Sequence, residues 1–158
     1  MHAKFPEALR NRQSAHAGLR HIVSRTPSDR LRPLSQLDHE MIALVSATTN
    51  GCSYCCAHHG ALMRGESGDP MFAEYLSRNY KLADLSPRHL AMLDFVVKVL
   101  KDAEHIDHDD RQALHDVGFD DEAIWTIVST AAFYAGANRV AQAVGLKITP
   151  QYLDMNRA

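Results

Sequence analysis

Apolar residues recur at spacings of three and four along almost the whole chain, and no stretch alternates apolar and polar residues with a sustained period of two. A chain patterned in this way forms helices and buries their apolar stripes against one another, so an all-α fold is expected. The punctuation agrees. Ser35 with Asp38 resembles a capping box, opening a helix that carries Leu37, Met41, Leu44, Val45 and Thr48 on one side, and Asn50-Gly51 ends it. A new helix is expected from near Cys52 through Met63, broken by Gly65 and Gly68, then a short one from Met71 to Tyr80. Ser86-Pro87 supplies an N-cap and a first-turn proline for the core helix that contains Leu90 to Leu100. Asp107 can cap a shorter helix ending at Gly118. Asp120 opens the last long helix, with Asp121 and Glu122 suited to its N-terminal dipole and Gly145 marking its end. Ala131, Ala132, Ala135, Gly136 and Ala137 allow that helix to approach another helix, or another subunit, closely. Ahead of all these, Pro6 to Ser24 reads as an amphipathic segment with Leu9, Leu19, Ile22 and Val23, ending before Pro27.

The 158 residues suffice for one sizeable core and are too few for two. One domain over residues 1–158 is expected, with 1–30 as an N-terminal helical extension. The net charge of −2 and the scatter of basic residues argue against a nucleic-acid partner, which requires a patch able to neutralise phosphates. Met1 to Arg30 holds no uninterrupted apolar signal region, and no apolar run reaches the roughly 20 residues of a membrane span. A cytoplasmic protein with no membrane partner is expected.

The three cysteines are an odd number crowded between positions 52 and 56, which disfavours a stapling disulfide framework and favours redox or metal chemistry. With them stands the pattern E-x11-C-x2-C-x3-H, formed by Glu40, Cys52, Cys55 and His59. At about 100° per residue, Cys52, Cys55, Cys56 and His59 share one helix face. Cys52 falls in the first helical turn, where unpaired N–H groups and the dipole favour a thiolate, and the same field reaches Cys55 more weakly. His59 follows Cys55 at i+4, close enough to take its proton, which makes Cys55 the candidate nucleophile and Cys52 the resolving thiol. Their spacing lets a disulfide form within one turn. Glu40 occupies the face of Leu37 and Leu44, where an apolar residue is expected, and a carboxylate facing a core needs a partner. A proton relay from Cys55 through His59 to Glu40 is the expected arrangement.

Other readings compete. Free cysteine packs well as a small hydrophobe, so the pair can be structural. Cys52, Cys55, His59 and Glu40 are also zinc-compatible ligands, although the second ligand cluster usual in structural zinc sites is missing from the sequence. Neither a metal nor a cofactor is expected. Cys56 could divert the disulfide but reads as buried filler, and His58 points away from the cysteine sector as a surface or interface residue. The remaining histidines sit mostly at polar, exposed helix positions.

The pattern resembles the signature of the alkylhydroperoxidase AhpD and its relatives in the carboxymuconolactone decarboxylase superfamily. The wording Asn50-Gly-Cys-Ser-Tyr-Cys-Cys-Ala-His-His59 is most similar to its peroxidase-related branch, and the likeness continues through Leu85 to Phe95, Gly118 to Ile124 and Asn138-Arg139. It covers roughly residues 30 to 150. The resemblance implies an AhpD-like helical bundle with the Cys-x2-Cys at the start of a core helix, assembled as a trimer or hexamer. It also implies a thiol-dependent peroxidase of antioxidant defence that cycles a Cys52–Cys55 disulfide. Cys55 is then peroxidatic, Cys52 resolving, and Glu40 and His59 relay the proton. Tyr54 stands where AhpD has a histidine, and a tyrosine can donate a hydrogen bond to a peroxide oxygen; Tyr54, His58 and Cys56 are candidate accessory residues. The implied partners are a small hydroperoxide and an external dithiol or thioredoxin-like reductant. Non-enzymatic redox sensing, general disulfide exchange, a zinc-binding structural module and lactone decarboxylation are the alternatives.

Overall fold

Ser35 begins the architecture: its hydroxyl accepts from the Asp38 N–H while the Asp38 carboxylate accepts from the Ser35 N–H, a complete capping box. The computed structural model describes residues 33–157. Helix α1 spans Gln36–Thr49, α2 Ser53–Ser67, α3 Pro70–Asn79, α4 Pro87–Lys101, α5 His108–Asp116, α6 Asp121–Ala143 and α7 Gln151–Asp154. Two 3-10 turns, Tyr80–Leu82 and Ala103–His105, flank α4. No strand occurs among the described residues, so the fold is all-α. The caps follow the sequence closely: Ser86 caps α4, Asp107 makes a second capping box at α5, and Asp120 caps α6.

Helix α1 is the axis of the bundle, buried continuously from Glu40 to Ala47 and packed against α2, α3, α4 and α6. Its Met41, Ile42, Leu44 and Val45 join Met63 of α2, Leu76 of α3, Met92, Leu93 and Val96 of α4, Leu114 of α5 and Ile127 of α6 in one core. Each such side chain contributes about 1.5–3 kcal/mol on burial, so the helix carrying Glu40 is held from every side. A second, smaller cluster gathers Ala47, Cys52, Tyr54, Cys55 and Ala141, with Cys56, Leu146 and Tyr152 at its margin.

One expectation needs correction. Gly65 does not break α2, which runs on to Ser67 and ends at Gly68 with φ +67°, a left-handed cap that glycine adopts freely. Gly65 instead admits the C-terminal segment: a Cβ there would stand 2.7 Å from Asn156 Nδ2, which donates to the Ala61 carbonyl. The short helix α7 carried too little periodicity to be foreseen. The small residues of α6 also divide between two faces, Ala131 buried inward and Ala132 and Gly136 exposed. The expected helix Pro6 to Ser24 and the extension over residues 1–30 lie outside the described residues.

Candidate active site

The joint between α1 and α2 sets the cysteines in place. Gly51, at φ +67°, reverses the chain, and the Cys52 N–H donates to the Ala47 carbonyl at 2.9 Å. Cys52 thereby becomes the N-cap of α2, just outside the helix rather than within its first turn, and its Sγ accepts from the Cys55 N–H at 3.3 Å. Cys52 and Cys55 are joined in a disulfide with Cα atoms 5.3 Å apart. Both are buried.

One turn further along α2, His59 Nδ1 lies 2.9 Å from Glu40 Oε2. Glu40 and His59 are 6% and 8% exposed, so this pair is shielded from solvent on both sides. Gln36 Nε2 also donates to Glu40 Oε1 at 3.2 Å. With the carboxylate accepting from Nδ1–H, the neutral ring keeps its lone pair on Nε2. The imidazole of His59 is thus oriented by Glu40, one turn along α2 from Cys55, and removing Glu40 would leave the buried ring without this partner.

Aromatic rings close the surroundings. Tyr134 of α6 stands edge-on to His59 with centroids 4.9 Å apart. Tyr54 and His58 lie parallel at 6.3 Å, and Tyr152 meets His58 edge-on at 4.9 Å. The expectation of a surface His58 therefore fails: the residue is buried, because the C-terminal segment folds back over the outer face of α2. Arg64 secures that segment, donating from Nη2 to the Tyr152 carbonyl at 2.6 Å and from Nε to the Met155 carbonyl at 3.0 Å. Tyr54 turns its ring into the same group rather than standing alone beside the cysteines. Cys56 is a free, half-buried thiol 3.8 Å from Thr48 Oγ1, and burial pushes its pKa up, so it remains protonated over a wider pH range than an exposed thiol. Among the other histidines, His89 is half-buried and its Nε2 lies 3.1 Å from Asp38 Oδ1, while His105 and His108 are exposed.

Glu40, Cys52, Cys55 and His59 do not gather their donor atoms as a common metal site. The group among the described residues that does, Asp102, Glu104 and His105, is fully on the surface. No helix among the described residues is long and apolar enough to cross a membrane.

Comparison with protein-family models gives no match, and comparison with curated proteins gives none either. Solved structures do match. A peroxidase-related protein from Silicibacter sp. is 36% identical over 91% of this chain and 73% of its own, with a TM-score of 0.82. The alkylhydroperoxidase AhpD core of a peroxidase-related protein from Ralstonia eutropha is 32% identical over 97% of this chain and 76% of its own, with a TM-score of 0.80. The chain belongs to the AhpD-like, peroxidase-related family. The debrominase Bmp8, 18% identical over 95% of this chain and 77% of its own at a TM-score of 0.73, has the same fold and shows that the fold hosts other activities. Within this AhpD-like frame, Tyr134 and Tyr152 are the site neighbours that sequence reasoning missed. They come from α6 and α7, far along the chain, and a lone tyrosine in a helix carries no sign of which ring it will meet.

Proposed function

We propose that the protein is a thiol-dependent peroxidase that reduces alkyl hydroperoxides. The observation that carries the reading is the pairing of a Cys52–Cys55 disulfide at the start of α2 with a buried Glu40–His59 pair one turn further on. In the reduced protein His59 Nε2 takes the Cys55 thiol proton, and the Glu40 carboxylate stabilises the imidazolium that results. The thiolate sulfur attacks the hydroxyl-bearing oxygen of the hydroperoxide. The O–O bond breaks, the alkoxide leaves with the proton from His59, and Cys55 is left as a sulfenic acid. Cys52 then attacks the Cys55 sulfur, forming the S–S bond as water departs. An external dithiol, small or carried by a thioredoxin-like partner, returns two electrons and reopens the pair.

The face of α6 that carries Trp125, 72% exposed, and Val140, 59% exposed, supports assembly into a homo-oligomer, with a trimer or hexamer as the family's form. General disulfide exchange uses the same thiols without a peroxide, and the activity test separates the two. Pre-reduced protein with excess dithiol should consume many equivalents of tert-butyl hydroperoxide, and Cys55→Ser should consume none. Consumption of one equivalent or fewer by the wild type would mark a sensor or an exchange protein and remove the peroxidase reading.

A further inference from the structure

Helix α6 holds a buried polar group with no hydrogen-bond partner among the described residues. Asn138 is 1% exposed, and neither its Oδ1 nor its Nδ2 has a hydrogen-bond partner among the described residues. Burying a carboxamide in this way is costly, and native folds seldom do so without a water or a ligand to complete it. Its position on the helix narrows what could complete it. Tyr134, Asn138 and Ala141 lie within a sector about 60° wide on one face of α6. Tyr134 packs on His59, and Ala141 packs into the cluster of Cys52, Tyr54 and Cys55. The carboxamide between them sits about 6 Å along the helix from the first and about 4.5 Å from the second. It therefore belongs to the stretch of α6 that faces the base and the thiols together. The backbone there is anchored independently, with Gln142 Nε2 donating to the carbonyls of Asn138 and Asn50, each at 3.2 Å.

We propose that Asn138 is the hydroperoxide-binding residue of this site; the proposal rests on the peroxidase reading above. A hydroperoxide carries an O–H donor on one oxygen and lone pairs on the adjacent oxygen. A carboxamide offers the complement on two atoms of one plane, Oδ1 accepting and Nδ2–H donating. Bound in this way, the hydroxyl-bearing oxygen is held by Oδ1 and presented to the Cys55 sulfur. Nδ2–H donates to the oxygen bonded to carbon, where negative charge develops as the O–O bond breaks and before His59 delivers its proton. Sulfur gains the hydroxyl oxygen and is oxidised, the peroxide is reduced to alcohol, and Asn138 exchanges no proton. Neither Cys52 nor Glu40 can do this work, the one being the resolving thiol and the other engaged with His59 and Gln36.

Asn138→Leu removes both polar atoms while keeping the number and branching of the heavy atoms, and deletes an unpaired buried amide. Asn138→Ala removes the carboxamide without adding charge or bulk. Two rates are read on pre-reduced protein of each variant: oxidation of Cys55 by tert-butyl hydroperoxide, and alkylation of Cys55 by iodoacetamide, which needs the thiolate but no peroxide. Both variants should lose about 10- to 100-fold in the first rate and stay within about twofold in the second. A peroxide rate within about threefold of wild type would leave Asn138 holding an internal water only. Parallel loss of both rates, or failure of both variants to fold, would make it a structural residue; each of these outcomes overturns the assignment. Wild-type protein that is alkylated normally but ignores the peroxide would instead overturn the peroxidase reading, and this one with it.

Discussion

Glu40 is the residue whose chemistry can be tested with least disturbance of the fold. Its carboxylate accepts from His59 Nδ1 in a buried setting, where a hydrogen bond to a charged group is worth about 1.5–3 kcal/mol. Glu40→Gln preserves an acceptor and the packing but removes the charge that stabilises the imidazolium. Oxidation of Cys55 by hydroperoxide is expected to slow by about 10- to 100-fold, and alkylation of Cys55 should slow in parallel, because the effect acts through the thiol proton. Stopped-flow and iodoacetamide kinetics on reduced protein measure both; unchanged rates would reduce the pair to a packing contact. Part of this geometry was legible beforehand, because a carboxylate at an apolar position of α1 demands a buried partner, which it finds in His59. His58 was misjudged for a physical reason. Its position on α2 faces outward from that helix, but α7 covers the outward face, and a covering element so short leaves little trace in periodicity.

At the scale of elements, caps and glycines announced almost every helix, because a side chain that satisfies an end N–H acts within three residues and is visible in sequence. Packing between distant elements was not announced, and Gly65 shows why. It reads as a helix breaker, yet it sits within α2 because Asn156 lies against it. Gly65→Ala gains about 0.8–1 kcal/mol of helix propensity. It also displaces the Asn156 side chain and forfeits the hydrogen bond to Ala61, worth about 0.5–1.5 kcal/mol. These nearly cancel, so the midpoint of global unfolding should scarcely move. The C-terminal segment, however, loses one of the ties that hold it beside Arg64, and limited proteolysis should cut after residue 150 faster than in the wild type. Equal cleavage rates would show that the remaining ties, the two Arg64 hydrogen bonds, the Arg157–Glu74 ion pair and the Tyr152 packing, suffice to hold the segment.

For the molecule as a whole, the question is whether the disulfide holds the fold together or rides on it. The bridge closes a loop with a sequence separation of 3, and the entropy removed from the unfolded chain by so short a loop is worth about 2 kcal/mol. The main core lies elsewhere, between α1 and Met63, Leu76, Met92, Leu93 and Val96, and none of those contacts depends on the oxidation state of sulfur. Reduction should therefore leave the helical fold intact and lower the thermal midpoint by only about 4–8 °C. Circular dichroism melts with and without excess dithiol test this, with Cys52→Ser as a control that cannot form the bridge. If reduction abolished the helical signal at room temperature, the disulfide would be a structural staple and the two-state cycle could not operate. If both states melt cooperatively a few degrees apart, the fold provides what a cycling dithiol requires, a scaffold whose stability is nearly independent of the bond it makes and breaks.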